Sequence, residues 1–181
     1  AEPDQRANKS IRGGVWRARL AGAVINARRV GAAFERKIAA ALRQWLGEDY
    51  EVVRNPPDMQ AGKDGRAGEF SISGPLPVPL CLECKTSRQF RASQLWAGTG
   101  LFVAWWAQAS AQADSVSKHP ALVFKRPQGP ILCAMRRHTW SALFQVRRCP
   151  HMAVVVADGD ELVVVLWSAL MALDSIRLGE L

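Results

Sequence analysis

From residue 30 to residue 46, apolar side chains recur at spacings of three and four: Phe34, Ile38, Ala41, Leu42 and Trp45. That period predicts an amphipathic helix. Glu35 shares the wheel sector of Gly31, Ile38 and Leu42, so its carboxylate is expected to face inward. An inward acid needs a base or a metal as partner, unless it sits at the rim and reaches water. Gly47 suits the C-cap. The period then changes. Residues 50–54 read as a strand closed by Asn55-Pro56-Pro57-Asp58, and residues 60–68, with Gly62, Asp64-Gly65 and Gly68, as a mobile loop. Residues 69–73 form the next strand, with Glu69, Ser71 and Ser73 on one face and Phe70 and Ile72 on the other. Gly74-Pro75 is expected to turn the chain back, so that residues 78–85 pair with this strand as an antiparallel hairpin. Pro79 then falls at the strand's start or at a bulge.

Residues 92–113 carry no charge, yet Gly98, Thr99, Gly100, Gln108, Ser110 and Gln112 interrupt them. They read as a buried helix over 101–114, and not as a membrane span. Strands are expected at 121–125 and 131–135 around Pro127-Gln128-Gly129-Pro130, and at 152–156 and 161–166 around Asp158-Gly159. A short helix over 167–173 follows. This order gives an α/β fold: one domain over residues 26–181, a mixed central sheet with helices on both faces, preceded by a basic, flexible arm over residues 1–25.

The chemistry concentrates at the end of the apolar run 78–82. Alternation puts Cys81, Glu83 and Lys85 on one face of that strand and Leu80, Leu82 and Cys84 on the other. Charges are seldom set beside a buried strand unless they are paired or bind a metal. With Glu69 and Glu35, three carboxylates and one lysine converge on a sheet edge. That set suits metal-assisted cleavage of a phosphodiester.

The formal charge is +8, and residues 1–29 hold seven Lys or Arg against two acids, so the arm supplies +5 and the other residues +3. A polyanion is the natural partner, nucleic acid before membrane. No apolar leader is read at the N-terminus, giving the expectation of a cytoplasmic protein in a bacterial or phage-infected cell. Cys81 and Cys84 have zinc-like spacing but lie on opposite faces of a strand. Cys133 and Cys149 are far apart, with His151 the nearby imidazole, so buried free thiols are the expected state.

The ordered set Gly31-x-x-Phe34-Glu35-Arg36, Val52-Val53-Arg54-x-Pro56, Gly68-Glu69-Phe70-Ser71-Ile72 and Leu82-Glu83-Cys84-Lys85 resembles the PD-(D/E)XK nuclease superfamily. Within it the set is most similar to the archaeal-type and phage-encoded Holliday-junction resolvases. Trp105-Trp106-x-Gln108 and Pro120-Ala121-Leu122-Val123-Phe124-Lys125-Arg126 extend the resemblance to the phage members, so that it covers roughly residues 30–126. It implies a restriction-endonuclease-like core and a Mg²⁺-dependent, structure-selective DNA endonuclease that resolves four-way junctions as a homodimer, with Mn²⁺ as a substitute metal. It implies Glu69, Glu83 and the main-chain carbonyl of Cys84 as metal ligands, and Glu35 completing the shell directly or through water. Lys85 would orient the attacking water or balance phosphate charge, and Gln108 would brace the site. The family usually has Asp where Glu69 stands; Glu is one methylene longer, and Asp64 is the fallback ligand. The alternatives are a repair- or restriction-type nuclease of the same superfamily, or a DNA-binding relative with weakened catalysis.

Branched double-stranded DNA is the expected partner. Candidates for phosphate contacts are Arg28, Arg29, Arg36, Arg54, Arg88 and Arg91, with Arg136, Arg137, Arg147 and Arg148 further along. Such contacts position a duplex without reading its sequence. Trp45, Trp105 and Trp167 are expected in the core. Trp96, beside the basic loop, is expected there too, with stacking on DNA or a dimer face as the alternative.

Overall fold

The computed structural model describes residues 28–56, 67–144 and 153–173. The arm, Asp64, Arg147, Arg148, Cys149 and His151 lie outside the described residues. Helix α1 spans residues 28–46 and buries Phe34, Ile38 and Leu42 of the expected stripe together with Ala39 and Leu46, while Ala41 and Trp45 are only partly buried against the same core. It ends at Gly47, whose φ of 92° lets its amide return to the Arg43 carbonyl at 3.1 Å. β1 (Glu51–Arg54) and β2 (Phe70–Ser73) then pair antiparallel as a sheet of their own, with Val52 opposite Ile72.

β3 (Leu80–Thr86) forms one edge of a five-stranded sheet of order β3-β4-β5-β7-β6. β4 (His119–Lys125) lies parallel to β3, so the chain must cross over between them. α2 (Ala92–Trp96) and α3 (Gly100–Asp114) make that crossover. β5 (Leu132–Arg136), α4 (Arg137–Phe144), β6 (Ala153–Ala157), β7 (Asp160–Leu166) and α5 (Trp167–Met171) complete the order, with the β4–β5, β5–β7 and β6–β7 pairs antiparallel.

The two faces of the sheet carry separate apolar clusters. Leu80, Leu82, Cys84, Ala121 and Val123 pack with Phe34 and Ile38 of α1 and with Trp140 and Trp167. Leu122 and Phe124 pack on the other face against Phe102, Trp105 and Trp106 of α3. The expected mixed sheet with helices on both faces is therefore present, as in a restriction-endonuclease-like core.

Two expectations are corrected. The hairpin between β2 and β3 does not form: β2 pairs with β1, and the ladder groups of β3 go to β4. Pro75, Pro77 and Pro79 explain this, since each lacks the N–H that a tight return would use. Trp96 is not in the core; it is 64 % exposed, because α2 is too short to turn more than Leu95 inward. Residues 137–144, for which no element was read from the sequence, form α4, whose buried Trp140, Leu143 and Phe144 follow the helical three–four spacing. Cys81, Cys84 and Cys133 are buried free thiols. No helix among the described residues is long and apolar enough to cross a membrane.

Candidate metal centre at the β3 edge

The site forms where three elements meet the free edge of β3. Alternation along β3 sends Leu82 and Cys84 toward α1 and Glu83 toward α3, where Gln108 Nε2 donates to Glu83 Oε1 at 3.0 Å. Lys85 Nζ lies 2.5 Å from the same Oε1. Glu83 is only 1 % exposed, and its other oxygen, Oε2, is buried with no hydrogen-bond partner. Burial pushes the Glu83 carboxyl up, Lys85 draws it back, and Glu35 adds a further push.

Glu69 reaches this edge through a close approach of backbone to backbone. Its amide donates to the Leu82 carbonyl at 2.8 Å. Gly68 makes that contact feasible, with φ at 72° and its hydrogen facing β3. A Cβ there would stand 2.5 Å from the Leu82 oxygen and 2.8 Å from Cys81 Sγ. Glu69 is 5 % exposed. Burial first, then the charges of Glu83 and Glu35, push its carboxyl up to about 8, against the pull of Lys85 and Arg54. Burial thus makes the charged form of Glu69 costly, and a bound cation would favour it.

Glu35 does face inward, at 15 % side-chain exposure, and the partner it finds is Arg54. Arg54 Nε lies 2.5 Å from Glu35 Oε2, in an ionic contact not aligned as a hydrogen bond. Gly31, one turn earlier on α1, lies against the Glu35 carboxylate; a Cβ there would be 3.7 Å from Oε1, an ordinary contact. Three carboxylates thus face two cations, Arg54 and Lys85.

The structure brings Glu35, Glu69, Glu83, Lys85 and Gln108 to one edge, with the Cys84 main chain between the last two β3 side chains of the set. Of the arginines, Arg54 belongs to the site itself, while Arg136 is tied to Asp160 at 3.1 Å and Arg137 to Glu161 at 2.8 Å. Arg28, Arg29, Arg36, Arg88 and Arg91 are exposed.

The sequence did not single out Asn55. It is 2 % exposed, its Nδ2 donates to the Gly68 carbonyl at 3.1 Å, and its Oδ1 accepts from Ser71 Oγ at 2.6 Å. Its amide also donates to the Glu69 carbonyl at 2.8 Å. One side chain therefore pins both flanks of Glu69. The signal available was a polar residue ending a strand before Pro56, which reads as an ordinary turn.

The donor set fits a hard divalent cation. The orphaned Glu83 oxygen and the buried Glu69 carboxyl, its pKa raised by burial, are groups that a positive charge would satisfy, and Mg²⁺ is commonly held by one or two carboxylates, keeping water and phosphate oxygens for the rest. Among the described residues no group of three or more His, Cys, Asp or Glu is arranged to hold a metal. That argues against an all-protein cage and is compatible with a two-carboxylate site completed by a main-chain carbonyl. Zinc fits poorly, because Cys81 and Cys84 belong to clusters on different sides of β3.

A family model described as phage putative PDDEXK endonuclease matches residues 26–175. No curated protein and no solved structure matches the chain.

Proposed function

From the premise that this chain belongs to the phage PDDEXK endonuclease family, we propose a Mg²⁺-dependent DNA endonuclease that nicks four-way junctions as a homodimer. The observation that carries the metal-dependent part is the buried, partnerless Glu83 oxygen on the same edge as the buried Glu69 carboxyl. Glu69, Glu83 and the Cys84 carbonyl would hold the cation. When bound, Mg²⁺ supplies a Lewis acid for the phosphoryl oxygens and acidifies water.

The remaining work falls to the chain itself. Gln108 and Lys85 both occupy Glu83 Oε1, which fixes the carboxylate and leaves the buried Oε2 without a hydrogen-bond partner. Lys85, 22 % exposed, presents its ammonium where a phosphate would arrive and can offset charge that develops there. Arg54 neutralises Glu35, so direct ligation by Glu35 would require Arg54 to move onto another anion, such as a DNA phosphate.

Choice of a four-way junction rests on the ordered motifs shared with junction resolvases and on a basic chain suited to phosphate contacts. A junction also needs two opposed nicks, which a two-fold pair of identical sites supplies. The test is cleavage of a synthetic four-way junction and of its linear arms, with Mg²⁺ and with chelator. Paired, symmetric nicks in the junction alone, lost with chelator, are expected. Equal cleavage of linear duplex would leave the nuclease and remove the junction selectivity; junction binding without any cleavage would point to a DNA-binding relative.

A further inference from the structure

Two arginines stand together past the end of the strands that build the site. β3 ends at Thr86 and leads into Arg88, while β4 ends at Lys125 and leads into Arg126. Thr86 is in register with Lys125, and the Ser87 amide donates to the Lys125 carbonyl at 3.4 Å, so the two exits stay side by side. Between them is an open cleft of about 480 Å³ lined by Arg88, Arg126, Pro127, Gln128 and Gly129. Its far wall is a fixed turn: Gln128 has φ at 64°, and the Gly129 amide returns to the Arg126 carbonyl at 2.9 Å.

Charge sets this pair apart from the arginines of the site and of β5 and α4. Arg54, Arg136 and Arg137 each face a carboxylate, whereas neither Arg88 nor Arg126 has an ion-pair partner among the described residues. Two unneutralised guanidinium groups facing one cleft repel each other and favour an anion between them. The cleft also opens at the carboxyl end of a parallel strand pair, where open α/β sheets commonly take ligands. Arg88 is five residues beyond Glu83, so their Cα atoms are at most about 18 Å apart at roughly 3.6 Å per extended residue. That distance corresponds to about five nucleotides of duplex rise.

We infer that the Arg88–Arg126 cleft grips the phosphodiester backbone of DNA a few nucleotides from the bond being cut. This rests on the nuclease reading and adds to it a specific anchor for the flanking strand. The guanidinium groups offer forked donors to phosphate oxygens and no contact to base edges, so the grip is independent of sequence.

The test uses the full chain in chelator, where cutting cannot confuse binding. Arg88→Ala, Arg126→Ala and the double variant are titrated with a fluorescent synthetic junction from about 50 to 200 mM salt. Lys118→Ala, before the opposite end of β4, is the control. Each single change should lower the slope of log affinity against log salt by about 0.9, and the double change by about 1.8, with Lys118→Ala leaving it unchanged. Unchanged slopes in all three arginine variants, with the parent still binding and nicking, would overturn the cleft and leave the nuclease reading standing. An equal fall with Lys118→Ala would also overturn it, since the effect would then be diffuse charge. Replacing chloride by inorganic phosphate at matched ionic strength should not change parent affinity. Selective competition, absent in the double variant, would instead make the cleft a site for free phosphate. No DNA binding by the parent chain would refute the nuclease reading itself.

Discussion

Glu83→Gln should abolish nicking, by at least about 10³-fold, while junction binding measured in chelator stays close to the parent. Loss of a single electrostatic stabiliser in an active site already costs on the order of 10²–10³ in rate, and here the lost charge is also a proposed metal ligand. The change is nearly isosteric. Gln108 can still reach the remaining oxygen, and Lys85, being 22 % exposed, can turn to water when the carboxylate goes. Removing a charge that is 1 % exposed also relieves its burial, so the fold should survive. DNA affinity comes mainly from basic groups and should persist. Gel assay of nicked junction under single-turnover conditions reads the first effect, and anisotropy reads the second. Nicking at the parent rate would remove Glu83 from the site.

Gly68→Ala should be nearly as damaging, through geometry alone. A non-glycine residue in this left-handed conformation costs roughly 1–2 kcal/mol. The added Cβ would also stand 2.5 Å from the Leu82 carbonyl oxygen, a backbone atom that cannot swing aside. The Glu69 segment must then lift off β3, breaking the hydrogen bond from the Glu69 amide to the Leu82 carbonyl and loosening the Asn55 contact. Gly47→Ala is the matched control. Its φ of 92° brings comparable strain, but a Cβ there would meet nothing within 4 Å, and Gly47 lies at the far end of α1 from Glu35. Both variants should melt lower than the parent, whereas only Gly68→Ala should lose nicking, by about 10²-fold or more if Glu69 acts as a site carboxylate. Parallel loss in both variants would mean that stability, and not the position of Glu69, limits activity.

The sequence carried the fold well wherever period and local geometry agree. The stripe on α1, the cap at Gly47 and the alternation on β3 are local, and each appears, with Phe34, Ile38 and Leu42 of the stripe buried and Ala41 and Trp45 partly so. Strand partners are not local, which is why β2 and β3 looked like a hairpin. Both had strand character and Gly74-Pro75 looked like a turn, but the prolines at 75, 77 and 79 withheld the donors, and the crossover through α3 gave β3 a parallel partner. Trp96 shows the same limit, since an indole in a mostly apolar stretch says nothing about whether its helix is long enough to bury it.

The site was legible as a set of residue types. Glu35, Glu69, Glu83 and Lys85 could be named because charge is rare beside buried strands, and Gln108 because it completed a motif. Their wiring was not. That Glu35 would be held by Arg54, or that Gln108 and Lys85 would share one oxygen of Glu83 and leave the other bare, depends on contacts between distant elements. Asn55 was invisible for a different reason: its three bonds all serve a neighbour's position, and no residue type advertises that role.

The central claim is that Glu69 and Glu83 together form a divalent-metal site on the edge of β3. It is tested most directly by anomalous diffraction from crystals of the full chain soaked in Mn²⁺. The account predicts a peak between the Glu69 and Glu83 carboxylates, against the Cys84 main-chain carbonyl, with Lys85 beside it. A peak bound by other residues, with Glu69 and Glu83 turned to protein partners alone, would contradict it.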